Sequence, residues 1–129
     1  MKTYNELKLA QELIRFPTVK TEDKGIMKFL SKKLSSIGFR CKIIKSKGIG
    51  PKHALNLYAK FGKSKPNINF LGHTDVVANL NNWKIPPFKG VVSKGYLNGR
   101  GSQDMKGGIA CFISAISNFI KDKNFKGSI

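Results

Sequence analysis

The apolar residues of this 129-residue chain change their spacing along the sequence, from helical to alternating and back to helical. Two segments before residue 38 repeat apolar residues every three or four positions, which is typical of amphipathic helices. Alternation follows in residues 39–43 and 55–61 and predicts half-buried strands. Helical spacing returns over residues 107–122. This order predicts one α/β domain over residues 1–129, with three helices flanking a mixed sheet.

Capping residues, proline and glycine predict where the helices begin and end. Thr3 and Glu6 form a capping box, and the first helix should end before Pro17, because proline pushes the preceding residue out of helical backbone. The second helix should begin near Asp23 and stop at Gly38. The predicted inward faces of the three helices are Leu7, Ala10, Leu13 and Ile14; Ile26, Leu30, Leu34 and Ile37; and Ile109, Phe112, Ile113, Ile116 and Ile120.

Shorter strands are expected in the second half of the chain. Residues 68–71 form an apolar run that predicts a third strand, and residues 79–87 contain turn-forming residues and predict a loop. Residues 90–92 and 96–98 should pair around a turn at Gly95. Residues 126–129 have the pattern of a further strand, whose edge would be open. We therefore expect the chain to be part of something longer.

The charge of the chain is strongly positive, with 24 Lys and Arg against 7 Asp and Glu and a formal net charge of +17. A basic domain of this kind can bind nucleic acid. However, 21 of the cations are lysines, and they are scattered along the chain rather than grouped. Readers of bases and phosphates favour arginine as well. We therefore expect solvated surface lysines, and nucleic acid is not the expected partner.

The composition also predicts a cytoplasmic protein without a membrane partner. The most apolar stretch, residues 107–120, is too short for a bilayer span and contains two serines. Glu6 and Glu12 lie where a signal peptide would need an apolar core. Cys41 and Cys111 are too few for a disulfide framework, and both are expected to be buried thiols. His53 is expected in an exposed loop.

Two segments carry residues that can do chemistry. His73 and Asp75 follow the apolar run 68–71, and in extended backbone residues two apart point to the same side. Asp75 could then accept a hydrogen bond from the second ring nitrogen of a metal-bound His73. Asp104 lies between glycines just before the third predicted helix. Taken singly, His73 is more often a hydrogen-bonded structural residue and Asp104 a helix cap; together they indicate two ligands of a metal site.

At these positions the chain resembles the dinuclear-zinc deacylase and aminopeptidase superfamily. The resemblance is carried by Gly72-His-Thr-Asp-Val-Val77, by Trp83 with Pro87-Phe88, and by Gly99-Arg-Gly101 with Asp104-Met-Lys-Gly107. It extends from the first predicted helix, with its Phe16-Pro17 ending, to residue 129. Within the superfamily the desuccinylases are most similar, while acetylornithine deacetylases and related carboxypeptidases share much of the pattern. The resemblance implies the first part of a zinc-peptidase-like catalytic domain, without the lid domain.

The resemblance also implies roles for individual residues. His73 would ligate one Zn²⁺, Asp104 would bridge two, and Asp75 would act beside them by orienting His73. The peptide after Asp104 would be cis. Cobalt could replace zinc. The implied reaction is hydrolysis of the amide of N-succinyl-LL-2,6-diaminopimelate, a small N-acyl amino acid, to succinate and LL-2,6-diaminopimelate, in lysine and diaminopimelate biosynthesis.

The chain departs from the family's pattern in its acidic residues. In the family, a general-base glutamate and a second acidic ligand follow the strand that begins here at residues 126–129. The last glutamate of this chain is Glu22. We therefore expect the chain alone to be inactive, either as a decayed gene product or as one half that pairs with a separately encoded second half. Two alternatives stay open. The chain could be a small hydrolase that completes its ligands by self-association, or a basic domain that binds nucleic acid.

Overall fold

A computed structural model describes residues 2–20, 22–47, 53–78, 81–121 and 125–129, and in these residues it contains three α-helices and two antiparallel strand pairs. The α/β class is confirmed. The helices are α1 (Glu6–Ile14), α2 (Ile26–Ser35) and α3 (Gly107–Phe119). The strands are β1 (Arg40–Lys47) and β2 (His53–Lys60), which pair with each other, and β3 (Val91–Ser93) and β4 (Tyr96–Asn98), which form a hairpin.

The hydrophobic core lies between the three helices and the inner face of the β1–β2 pair. Helix α1 packs against α3, and α2 packs against both strands of that pair. Each helix contributes one apolar stripe, as the helical period requires. The buried residues of the core are Tyr4, Leu9, Ala10 and Leu13; Ile26, Leu30, Leu34, Ile37 and Phe39; and Ile109, Ala110, Ile113, Ile116 and Ile120.

The predicted start and inner face of α1 need correction. The N-cap is Asn5, whose side chain accepts a hydrogen bond from the Lys8 N–H at 2.9 Å, so Thr3 and Glu6 form no capping box. The carboxylate of Glu6 accepts instead from the Ser114 hydroxyl of α3, at 3.1 Å. Leu7 is 42% exposed and Leu9 is buried in its place. Contacts with α3, which lie far away in sequence, decide which face of α1 is buried.

Helix α2 follows the prediction more closely. It begins at Ile26, and the Asp23 carboxylate accepts hydrogen bonds from the N–H groups of Gly25 and Met27. Gly38 follows the helix with φ of 95°, a left-handed conformation that glycine adopts at little cost and that ends helices. All four residues predicted for its inner face are buried, although Ile37 lies just beyond the last turn.

The predicted strand at residues 68–71 is not formed. A β-strand requires backbone hydrogen bonds to a neighbouring strand over several residues. Here such pairing occurs only at the start of the segment, where Asn67 forms a parallel bridge with Ser128. Ser128 also forms an antiparallel bridge with Gly62. In the described residues the strands therefore form two separate antiparallel pairs, and parallel pairing is limited to the isolated bridges Asn67–Ser128 and Val19–Val76. The prediction that a strand begins within residues 126–129 agrees with these bridges.

The remaining local predictions have mixed outcomes. The hairpin around Gly95 is confirmed. Of the loop predicted over residues 79–87, residues 81–87 contain neither helix nor strand, and residues 79–80 lie outside the described residues. Residue 122, the predicted end of the third helix, also lies outside them. Cys111 is exposed and Cys41 half-buried, so neither is the fully buried thiol expected. His53 is exposed as expected, but it is the first residue of β2. No described helix has the length and apolarity that crossing a membrane requires.

Candidate metal centre

The segment that carries His73 and Asp75 is held by the residues that follow α1. The buried Thr18 hydroxyl donates to the Thr74 carbonyl at 2.5 Å, and Val19 and Val76 form a parallel bridge. The Val76 N–H also donates to the Thr18 carbonyl at 2.9 Å. Thr74 and Val76 are buried, so the alternating backbone turns His73 and Asp75 outward together. The prediction that these two side chains share a face is confirmed.

Asp104 lies in an irregular helical turn, Ser102–Lys106, that precedes α3. Gly101 opens this turn with φ of 82°, and a Cβ there would lie 2.9 Å from Val76, so the turn packs directly on the segment of His73. The peptide between Asp104 and Met105 is cis, as the resemblance implies. Asp104 does not cap α3, whose N-cap position is Lys106. The side chain of Asp104 is 80% exposed.

A buried lysine anchors the same turn. Lys106 is fully buried, and its Nζ donates to the Phe16 carbonyl at the end of α1, at 2.7 Å. Its backbone N–H donates to the Gly101 carbonyl at 2.9 Å. Burial lowers the pKa of Lys106 from 10.5 to about 8, because desolvation disfavours the charged form. The lysine therefore links α1 to the turn that presents Asp104.

The geometry places the imidazole of His73 between two carboxylates. Its Nε2 lies 3.1 Å from Oδ1 of Asp104, which is 31 residues away in sequence. Its Nδ1 lies 3.4 Å from Oδ1 of Asp75 and 3.2 Å from the Asp75 carbonyl oxygen. The His73 N–H donates to Sδ of Met105 at 3.3 Å, which ties the two segments together. The structure thus brings together all three side chains that the sequence singled out.

The donor set is chemically suited to zinc. Imidazole nitrogen and carboxylate oxygen are both common Zn²⁺ ligands, and a catalytic zinc takes three protein ligands with a further position open to water. His73 and Asp104 present one donor of each kind at a solvent-accessible position. Within the described ranges, no group of three or more His, Cys, Asp or Glu side chains is close enough to hold a metal ion. The described residues therefore fit part of a zinc site.

Sequence reasoning assigned no role to Thr18, Met105 or Lys106, although Met105 and Lys106 belong to the motif Asp104-Met-Lys-Gly107. No local pattern could have identified Lys106 or Thr18, because they bond to Phe16 and Thr74, which lie 90 and 56 residues away in sequence. The sulfur of Met105 accepts a hydrogen bond from the His73 N–H only because the turn lies against the segment of His73.

The motif residues Trp83 and Arg100 lie beside the candidate ligands. The Arg100 guanidinium is stacked over the Trp83 ring, with its central carbon 5.1 Å from the ring centroid. Together with Val76 and Asp104 they line a shallow cavity of about 240 Å³. A cation and an aromatic ring therefore flank the exposed Asp104 carboxylate.

Comparison with known proteins identifies relatives in sequence. Residues 70–129 match the model of peptidase family M20/M25/M40. The chain is 48% identical over its whole length to succinyl-diaminopimelate desuccinylase of Pelagibacter ubique, of which it covers 34%. It is 42% identical over 95% of its length to the enzyme of the same name from Rhodospirillum rubrum, of which it covers 31%. The chain thus spans about a third of the length of these curated relatives.

Solved structures show the same fold. Human carnosine dipeptidase 1 superimposes with a TM-score of 0.79 over 88% of this chain and 28% of its own, at 22% identity. The M20 family metallo-carboxypeptidase Sso-CP2 from Sulfolobus solfataricus gives a TM-score of 0.79 over 99% of this chain and 29% of its own, at 20% identity. The expectation of a zinc-peptidase-like catalytic fold is confirmed, for the part of that fold that the chain covers.

Proposed function

Because residues 70–129 match the model of peptidase family M20/M25/M40, we propose that the chain supplies two metal ligands and one positioning carboxylate to a metal-dependent amide hydrolase. The observation that carries this proposal is the 3.1 Å approach of His73 Nε2 to Asp104 Oδ1. Two side chains from segments 31 residues apart converge at an accessible position. His73 and Asp104 hold Zn²⁺ in this proposal, and Co²⁺ is accepted at the same donors.

The role of Asp75 follows from its place at the other ring nitrogen. When Nδ1 of His73 carries the proton, it donates to the carboxylate or the carbonyl of Asp75, and Nε2 is left with its lone pair facing Asp104. Asp75 thereby fixes the ring's tautomer and orientation and makes Nε2 a better donor. A bound zinc supplies Lewis-acid polarisation of an amide carbonyl and an activated water.

The desuccinylase reaction is the one that the sequence relatives support best. We propose that the complete site hydrolyses the amide of N-succinyl-LL-2,6-diaminopimelate to succinate and LL-2,6-diaminopimelate, a step of lysine biosynthesis in the cytoplasm. Support comes from relatives of that name at 42–48% identity over 95–100% of the chain. The described residues present two ligands rather than three, so we propose that further acidic groups come from a second polypeptide segment.

The metal ligands can be tested by titrating Zn²⁺ into the purified chain and its variants by calorimetry. We expect His73→Ala and Asp104→Asn each to weaken zinc binding at least tenfold, because each removes one of two donors. His53→Ala is the matched control, since His53 is an exposed histidine on β2 and does not line the site. Equal effects of His73→Ala and His53→Ala would show that zinc binds to the chain without using this site.

A further inference from the structure

Residues 16–20, which follow α1, hold the segment that carries His73. The Thr18 hydroxyl donates to the carbonyl of Thr74, the residue next to His73, and the Thr18 carbonyl accepts from the Val76 N–H. Thr18 is almost fully buried, with 1% of its surface exposed. Because water has no access to Thr18, these hydrogen bonds meet little competition, and they fix the backbone of His73 to residues 16–20.

The turn that presents Asp104 is fixed to the same residues. Its last residue, Lys106, is fully buried, and Nζ of Lys106 donates to the Phe16 carbonyl at 2.7 Å. The Phe16 carbonyl also accepts from the Thr18 N–H at 2.9 Å. Two hydrogen bonds to one carbonyl therefore connect Lys106 with Thr18. Through Thr18, the turn of Asp104 is connected with the segment of His73.

The side chain of Asp104 has little other support. It is 80% exposed, and its only hydrogen-bond partner among the described residues is His73. The backbone of Asp104 and Met105 is non-helical, so regular helical bonding does not hold this part of the turn. The direct bond between the two segments runs from the His73 N–H to the Met105 thioether, which is a weak acceptor. The place of the Asp104 carboxylate therefore depends on how the ends of the turn are held.

Stability alone does not favour a lysine at position 106. Burial of an amine costs desolvation, and Lys106 is the N-cap residue of α3, the end of a helix at which positive charge is unfavourable. An apolar side chain of similar length would avoid both costs, and the Phe16 carbonyl would keep its hydrogen bond from Thr18. What the lysine adds is a directional hydrogen bond between the turn and residues 16–20.

We propose that Lys106 is a positioning residue of the candidate metal centre. Its bond to the Phe16 carbonyl holds the turn where the Asp104 carboxylate and the His73 imidazole reach the same metal ion. Thr18 is the corresponding support on the side of His73. Lys106 itself contacts neither metal nor substrate. This proposal rests on the proposed function, because it gives Lys106 a part in metal binding.

The substitution Lys106→Met tests the proposal, because it keeps a long side chain and removes the donor. We expect Zn²⁺ to bind at least fivefold more weakly in calorimetry, without a fall in the midpoint of thermal unfolding. The visible absorption of bound Co²⁺ should move toward that of Asp104→Ala, since both variants lose the same ligand. Lys33→Met is the matched control, because Nζ of Lys33 also bonds to α1, at 2.7 Å from Glu12, and neither residue lines the cavity beside Asp104. The control should bind Zn²⁺ as the unaltered chain does.

A second measurement needs no metal. The ε-methyl of Met105 is bonded to the sulfur that lies 3.3 Å from the His73 nitrogen, so an NMR cross-relaxation peak should join this methyl to the His73 amide proton. We expect the peak to keep its intensity in Lys33→Met and to become at least twofold weaker in Lys106→Met. Thr18→Val, which removes the hydroxyl on the other side, should weaken both the peak and Zn²⁺ binding.

Two results would overturn the proposal. One is a Lys106→Met chain that equals the unaltered chain in Zn²⁺ affinity and in the NMR peak. The other is an equal loss of Zn²⁺ affinity in Lys33→Met, which would assign the effect to a general loosening around α1. If Lys106→Met does not fold, Thr18→Val decides by the same measurements. Absence of Zn²⁺ binding in the unaltered chain would contradict the proposed function, and the NMR peak alone would then support or overturn the role of Lys106.

Discussion

Gly107 and Gly108 are neighbours at the start of α3, yet a side chain would meet different surroundings at the two positions. A Cβ on Gly107 would lie 2.2 Å from the carbonyl oxygen of Ser102, which belongs to the turn that presents Asp104. A Cβ on Gly108 would have no atom within 4 Å. The close approach at Gly107 lets the helix begin directly against the turn, and no larger residue allows the same contact.

This difference predicts opposite effects of the same substitution. Gly107→Ala should lower the free energy of unfolding by about 1–3 kcal/mol, because backbone must shift to accommodate the methyl group. Gly108→Ala should raise the free energy of unfolding by about 0.5–1 kcal/mol, because alanine favours helix over glycine. Urea denaturation of the two variants measures both values. Effects of the same sign and size would show that the contact with Ser102 does not restrict Gly107.

At the scale of elements, α1 shows how tertiary contacts choose among the faces that a helix offers. Leu7 and Leu13 both belong to the apolar stripe that the sequence predicts. Leu13 is fully buried, whereas Leu7 is 42% exposed and Leu9 is buried instead. The Glu6 carboxylate and the Tyr4 backbone, which bond to Ser114 and Ser117 of α3, set the rotation of the helix.

The same truncation at Leu13 and Leu7 should therefore have unequal effects. Leu13→Ala should lower the free energy of unfolding by about 2–5 kcal/mol, because it removes buried methyl groups and leaves a cavity. Leu7→Ala, which truncates an exposed side chain of the same type, should change it by about 0.5 kcal/mol. Thermal or urea unfolding compares the two variants. A larger loss for Leu7→Ala would contradict the rotation of α1 described above.

At the scale of the whole molecule, the described residues bring two candidate metal ligands together but include neither a third ligand nor a general base beside them. His73 and Asp104 supply two donors, and no glutamate follows Glu22 in the sequence. General-base catalysis contributes about 10²–10⁴-fold to rate in typical enzymes, and a positioned metal contributes further. We therefore expect a chain without a general base beside its donors to be a poor catalyst by itself.

We accordingly expect the 129-residue chain with added Zn²⁺ to hydrolyse N-succinyl-LL-2,6-diaminopimelate no faster than the uncatalysed reaction. Release of succinate, measured by an enzyme-coupled assay, checks this expectation. His73→Ala is the control that separates activity at this site from a contaminating hydrolase. Hydrolysis that a chelator abolishes and that His73→Ala removes would contradict the expectation and favour a site completed by self-association.

The helices and the hairpin were predictable because their signals act over a few residues. Proline at 17, glycine at 38 and the apolar spacing of α2 determine backbone conformation locally. The absence of a strand at residues 68–71 was not predictable in the same way. An apolar run favours a strand only when another strand supplies hydrogen bonds, and pairing here begins and ends with Ser128.

The sequence by itself determined the class of fold, the positions of α2 and α3, and the shared face of His73 and Asp75. The reason is that the spacing of apolar residues and the alternation of side chains along extended backbone are local properties. The combination of His73, Asp75 and the glycine-bracketed Asp104 indicated a metal site, and the resemblance implied the role of each residue in it. Only the tertiary structure decided that their side chains meet at 3.1 Å and that the charged Lys106 is buried against Phe16. These features depend on contacts between segments tens of residues apart, and packing rather than local preference selects such contacts.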